Sequence, residues 1–280
     1  MNIQEVNLVL NQLQLRPQKR LGQNFLIDNN VLQKMISLSE ITKNDIVLEI
    51  GPGLGSLTEF LVKKAKKVYA IEIEPLFCTY LSEKLSIYSN IEIINDDVLK
   101  IEIPKHNKVV SNIPYTITGS IFEKVFFNRN PPSGILIIEK SIANRIFFTE
   151  NYKTFSRISV TVNAFMKPVL KFEVSRNSFY PPPKIDLSLI KIIPKDNQNS
   201  FLSEEKTILF FLKFIAGIMP YKNKNILNAL QIFFKANNVD KYSKEKISQI
   251  IKQKNFDNKK VFTFEIEEFI ELSKLFYNEN

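Results

Sequence analysis

The chain has 280 residues, 44% hydrophobic and 24% charged, which is enough apolar material for a buried core and too much for a disordered polymer. With one cysteine, Cys78, an internal disulfide is excluded, and with one histidine, His106, there are too few soft ligands for a zinc or iron–sulfur site; both residues are read as structurally incidental. Lys and Arg outnumber Asp and Glu by 38 to 29, a net charge of +9 spread along the chain rather than gathered in a tail, which alone supports nucleic-acid binding only weakly.

The opening MNIQEVNLVLNQLQLRPQKR puts its basic residues after the apolar ones and has no small-residue cleavage site, and no apolar run reaches bilayer length, so a cytoplasmic protein without membrane contact is expected. LGQNFL (21–26), taken by itself, reads as a loop before a helix capped by Asp28. From 46 to 140, β-type runs (IVLEI, KVYAIEI, IEIIND, KVVSN, ILIIEK) alternate with helical patterns (SLTEFLVKKA, PLFCTYLSEKL, GSIFEKVFF). That alternation predicts parallel pairing with right-handed crossovers: an α/β, doubly wound, Rossmann-like sheet with helices on both faces. SRISVTVNAF reads as another helix, then VLKFEV and LSLIKII as two strands joined by the proline-rich SRNSFYPPPKID. Beyond Pro194, four stretches with apolar residues at helical spacing predict a small all-helical C-terminal domain, giving domains 1–193 and 194–280.

Ligands of such sheets bind at the carboxyl ends of the strands. The first strand ends in EIGPGLGSLTE (49–59), where Gly51, Gly53 and Gly55 allow close backbone approach. The dinucleotide fingerprint would need glycine at Ser56, so a pyrophosphate ligand is disfavoured. Glu49 precedes the turn, Glu72 ends the second strand and Asp97 follows the third. Three acids there would repel phosphate but suit ribose hydroxyls, an adenine amine and a cationic amino-acid end, the features of S-adenosylmethionine. Glu72 is placed for the ribose and Asp97 for the adenine amine, with Ile73 and Val98 sandwiching the ring. Solvated loop acids or helix caps are the plainer alternative.

SNIPY (111–115) follows the fourth strand at the same edge. An adenine amine is a poor nucleophile because its lone pair is delocalised. If the side-chain carbonyl of Asn112 and the main-chain carbonyl of Ile113 accept its two protons, that lone pair is drawn out of conjugation. Pro114 fixes the carbonyl's direction and Tyr115 can stack on the extruded base, worth roughly 1–3 kcal/mol. No metal is needed for this chemistry.

LGQNFLID (21–28), EIGPGLGSLTE, the acid in AIEIE, the second Asp of NDD, NIPY (112–115) and SFYPPPKID (178–186) occur in order across about residues 16–193. In these motifs the chain resembles the ribosomal RNA adenine dimethyltransferases, specifically those of the small subunit. The resemblance implies a class I methyltransferase domain plus a small helical domain, a monomer. It implies S-adenosylmethionine as methyl donor and the transfer of two methyl groups to each of two adjacent adenosines near the 3′ end of small-subunit RNA, with the subunit precursor as partner. Cofactor contacts carry over to Asn24, Leu26, Gly51, Glu72, Asp97 and Asn112; Glu49, Gly53 and Gly55 fit the turn; Phe179 resembles a second aromatic face opposite Tyr115.

Two departures stand out. MPYKNKNIL (219–227) replaces an arginine-rich segment of the family, leaving fewer guanidiniums for bidentate phosphate contacts, and Glu139 stands where many relatives carry Gln. Arg16, Lys19, Arg20, Arg145, Arg157, Lys184, Lys222 and Lys224 are the candidate RNA phosphate contacts. A resistance-type dimethyltransferase of large-subunit RNA shares the clamp and the turn, but GPGLG and the triple proline favour the small-subunit branch. A non-catalytic RNA-binding assembly or transcription factor of the same fold is the other rival, and the intact Asn112 and Tyr115 argue against it.

Overall fold

A computed structural model describes residues 1–18, 22–148, 155–239 and 242–278. They form two compact units: Met1–Phe126, Asn130–Asn144 and Met166–Pro194 in one, Phe127–Arg129, Arg145–Phe165 and Lys195–Asn280 in the other. The two units are not divided at a single point in the chain, because the chain enters the helical unit twice, at Phe127–Arg129 and at Arg145–Phe165, before it finishes the sheet.

The first unit is built on a sheet flanked by helices. In chain order its elements are α1 (Ile3–Gln12), β1 (Phe25–Leu26), α2 (Asn29–Ser39), β2 (Ile46–Ile50), α3 (Thr58–Lys64), β3 (Lys67–Glu72), α4 (Pro75–Lys84), β4 (Ile91–Asn95), β5 (Lys108–Asn112), α5 (Thr118–Phe126), β6 (Ser133–Glu139), β7 (Met166–Val174), β8 (Phe179–Tyr180) and β9 (Leu187–Pro194). The sheet has seven strands in the order β4-β3-β2-β5-β6-β9-β7. β4 through β6 run parallel, as the alternation of strands and helices predicts; β9 is antiparallel to both β6 and β7. Val47 and Leu48 of β2 and Val109 and Val110 of β5 are fully buried, the continuous apolar run of a strand covered on both faces. The edge strand β4 has no fully buried position, its three isoleucines being half-buried and Glu92 and Asn95 exposed.

α1 starts with a reciprocal cap in which Asn2 accepts from the Glu5 N–H and Glu5 accepts from the Asn2 N–H. It buries Val6, Val9 and Leu10 against Phe25, Leu54 and Phe77. α2 is capped as expected by Asp28, whose Oδ1 accepts from the N–H groups of Asn30 and Val31 at 2.9 and 3.4 Å. The other oxygen, Oδ2, accepts from the Ser178 hydroxyl at 2.8 Å, beside the antiparallel pairing of β1 with β8. LGQNFLID and SFYPPPKID, 150 residues apart, thus form one structural feature.

The helical unit contains α7 (Arg157–Phe165), α8 (Glu205–Ile218), α9 (Ile226–Ala236), α10 (Lys244–Gln253) and α11 (Ile266–Asn278). α6 (Lys140–Ile146) spans the passage between the units. α7 belongs here because its apolar residues leave no wet face: Val160, Val162 and Phe165 are all buried, and Phe165 meets Phe127 in a stack at 5.1 Å and the edge of Phe211 at 6.2 Å. Phe214, Phe233, Phe234 and Phe276 pack ring to ring, with Phe233 edge-on to both Phe214 and Phe234, an arrangement that aromatic quadrupoles favour.

Candidate active site

β2, β3, β4 and β5 end side by side, and the turns that follow enclose a cleft of about 250 Å³. After β2 the chain turns through Gly51, Gly53 and Gly55, with φ of +68°, +56° and +81°, values that disfavour any residue with a Cβ. A Cβ on Gly55 would also stand 2.6 Å from Leu81 Cδ2, so this glycine lets the turn lie against α4. A Cβ on Gly51 would stand 3.4 Å from Pro114 Cγ, which shows how closely the glycine turn approaches SNIPY.

Glu72 ends β3 inside the first unit, only 5% exposed. Its Oε2 accepts from the Gly53 N–H and its Oε1 from the Glu74 N–H, both at 3.0 Å. Burial raises the carboxyl's pKa above its ordinary value, and these main-chain donors oppose the shift. Each oxygen keeps a lone pair for a ligand hydroxyl. Glu49 is 2% exposed and lines the cleft, and its Oε2 has no hydrogen-bond partner. Burial pushes its pKa up to about 8, the Thr58 hydroxyl opposing and the Glu72 charge adding to the rise. Asp97 accepts from the Leu99 N–H at 3.0 Å and lines the cleft beside Asp96. Ile73, 49% exposed, and buried Val98 supply apolar lining.

Among the described residues, the lining contains Glu49, Glu72, Asp96 and Asp97 and no Lys, Arg or His. That chemistry excludes a phosphate-rich ligand and fits one with hydroxyls, an amine and a positive charge. The orphaned buried oxygen of Glu49 and the close backbone approach at the glycine turn suit such a guest.

Asn112 ends β5 and lines the cleft together with Asn24, Leu26 and Pro114. Its Nδ2 donates to the Asn24 carbonyl at 3.1 Å, and its Oδ1 accepts from the Tyr115 hydroxyl at 3.1 Å. Ile113 is fully buried, its N–H donating to Ile137 O. The Tyr115 ring packs on the core cluster that contains Phe179, and Phe179 is 1% exposed. Neither ring lines the cleft; Phe179 belongs to that core cluster and Tyr115 packs against it. Sequence reasoning missed Phe25, Leu54 and Phe77, which form an apolar wall of the cleft, as well as Gln23, Asp96 and Thr116. The capping box at Asn2 and Glu5, with Val6, Val9 and Leu10 at helical spacing, was the signal for the helix that backs this wall.

Cys78 donates its thiol to the Glu72 carbonyl at 3.6 Å, and burial pushes its pKa up to about 11; as a protonated donor it is a packing group. Of the candidate RNA contacts, Lys19 and Arg20 lie outside the described residues. Arg16 and Lys184 are exposed in the first unit, and Arg145, Arg157 and Lys224 in the helical one. Lys222 is half-buried within the helical unit, its Nζ donating to the Phe155 carbonyl at 2.7 Å. Burial, aided by the Arg145 charge, lowers its pKa, and the bond to Phe155 braces the MPYKNKNIL turn. Nothing in the structure explains Glu139 in place of Gln; its carboxylate accepts from the Ser141 hydroxyl.

A largely parallel sheet with a β9–β7 antiparallel edge, a glycine turn after β2 and an acid-lined cleft at the carboxyl ends define a Rossmann-like class I methyltransferase. Solved structures agree. A dimethyladenosine transferase from Plasmodium falciparum superposes with a TM-score of 0.74 at 26% identity, covering 91% of this chain and 98% of that one. The 23S rRNA methyltransferase ErmE shares the fold, with a TM-score of 0.63 at 24% identity over 90% of this chain and 99% of that one. Residues 14–271 match the ribosomal RNA adenine dimethylase family, and the chain belongs to it. Its relatives include the ribosomal RNA small subunit methyltransferase A of Mycoplasmopsis pulmonis, 38% identical over 88% of this chain and 92% of the relative. A probable enzyme of the same name from Pyrococcus furiosus is 33% identical over 94% of this chain and 95% of its own length. Among the described residues no helix is long and apolar enough to cross a membrane.

Proposed function

We propose that this protein transfers methyl groups from S-adenosylmethionine to the exocyclic amines of two adjacent adenosines near the 3′ end of small-subunit ribosomal RNA, acting in the cytoplasm as a monomer on a precursor of the subunit. The observation that carries the reading is the Asn112 carboxamide, anchored by Asn24 at one end of the acid-lined cleft. The sulfonium donor supplies an already activated methyl group. What remains for the protein is to place the nucleophile about 3–3.5 Å away, in line, and to keep water out, effects worth about 7–11 kcal/mol.

Asn24 fixes the Asn112 amide through Nδ2, so Oδ1 is turned toward the incoming base. The Tyr115 hydroxyl holds that oxygen beforehand. An adenine amine entering the site takes one lone pair of Oδ1 and donates its second proton to the Ile113 carbonyl, which restores the pyramidal nitrogen that attack requires. Tyr115, released from Asn112, turns its ring onto the base, and Phe179 follows from the same core cluster to take the other face. Glu72 receives the ribose hydroxyls on the lone pairs left by Gly53 and Glu74, Asp97 the adenine amine of the donor, and Ile73 with Val98 its ring. Leu26, Gly51 and Gly53 complete the close wall. Arg16, Lys19, Arg20, Lys184, Arg145, Arg157 and Lys224 are the groups proposed to meet RNA phosphates.

The preference for the small subunit rests on the names of the 38% and 33% identical relatives; ErmE, which acts on 23S RNA, shares only the fold. Replacing Asn112 with Ala tests the clamp. Turnover should fall by at least about a hundredfold, as for loss of a preorganised transition-state contact, while RNA affinity stays within a few-fold. Unchanged turnover in the variant refutes the assignment.

A further inference from the structure

We infer that Glu49 carries a proton while the cleft is empty and surrenders it to solvent when the positively charged methyl donor enters, making donor binding a proton-releasing reaction. The inference rests on the reading of the cleft as the S-adenosylmethionine site and adds the protonation state of one wall residue.

The geometry supports it from several sides. Glu49 is 2% exposed and one of its oxygens has no hydrogen-bond partner. A buried carboxylate without a counter-charge is costly, and such a group holds its proton instead. The groups facing it cannot supply a positive charge. From β3 comes Glu72, whose own carboxylate adds repulsion. From α3 comes the Thr58 hydroxyl, a neutral group that opposes the rise only in part. From α4, Cys78 touches Glu72 as a neutral thiol, and beyond β4 the lining adds only Asp96 and Asp97. The Glu49 carboxyl accordingly lies at about 8 in the empty protein. A cationic guest reverses the balance. The proton passes to the buffer, the carboxylate forms, and the guest's positive charge becomes its partner in a low-dielectric wall where the attraction is strong.

Isothermal titration of S-adenosylmethionine into the full-length protein, without RNA so that no turnover occurs, tests this at pH 6.5. Phosphate and imidazole buffers differ widely in ionisation enthalpy, so released protons appear as a difference in binding heat. The wild-type protein should release about one proton, and its Kd should tighten about tenfold per pH unit between pH 6 and 7.5. In Glu49→Gln, both the buffer difference and the pH dependence should vanish. Equal heats in the two buffers for the wild type overturn the inference even if the variant fails to fold. Release that persists in Glu49→Gln assigns the proton to another group and overturns it too. Absence of any binding refutes the cofactor site itself, a result distinct from tight binding without proton release.

Discussion

At Asn112 and its neighbours, small changes separate structural from chemical roles. The Tyr115 hydroxyl donates to Asn112 while its ring packs on the core. If the ring is what the extruded base needs, Tyr115→Phe should keep turnover within about tenfold, whereas Tyr115→Ala loses the stacking worth roughly 1–3 kcal/mol per base; single-turnover methylation rates separate the two. Glu72→Ala removes a charged acceptor, and donor affinity should weaken by about 1.5–3 kcal/mol, roughly ten- to a hundredfold, by calorimetry. The glycine turn, Glu72 and Asp97 were legible in the sequence because residue type and strand ends dictate where they stand. The inward packing of Tyr115 and Phe179 was not, since an aromatic residue after a strand is equally at home in a core or a slot. The bond from Lys222 to the Phe155 carbonyl was not legible either, since a lysine in a polar turn gives no sign that a carbonyl lies within reach.

Among the elements, the pairing of β1 with β8 joins two sequence motifs through Asp28, which caps α2 with one oxygen and holds Ser178 with the other. Asp28→Ala should therefore cost about 1–2 kcal/mol, the upper range for an N-cap, read as a shift in urea midpoint at unchanged slope. In the helical unit, a Cβ on Gly217 would fall 2.1 Å from Phe233 Cδ2, so α8 and α9 can pack only with glycine there. The strand–helix alternation of residues 46–140 was readable because hydrophobic period changes from two to 3.6 with each element. The antiparallel setting of β9 and β7 was not, because an apolar run does not encode the direction of its partner. α7 escaped assignment to the helical unit for a related reason: its run of apolar and small residues announces burial without saying against what.

For the molecule as a whole, charge organises both binding and stability. The net charge is +9, yet the charged side chains lining the cleft, among the described residues, are all acidic. On the proposed function, donor and RNA are thereby sorted by sign, and RNA affinity should fall with salt at a slope of about 0.7 to 0.9 per phosphate contact. The buried acids also couple folding to pH. A carboxyl raised to about 8 in the fold contributes most below its unfolded value and loses that contribution as pH climbs toward 8. Without ligand, the Tm of the wild type should drop between pH 5 and 8 relative to that of Glu49→Gln, which differential scanning fluorimetry can follow. The central claim is tested most directly by incubating small-subunit particles that lack adenine dimethylation with the purified protein and S-adenosylmethionine, then mapping the modified nucleotides by mass spectrometry. Two adjacent dimethyladenosines near the 3′ end of the small-subunit RNA are expected; unmodified particles, or methylation confined to large-subunit RNA offered in parallel, would contradict it.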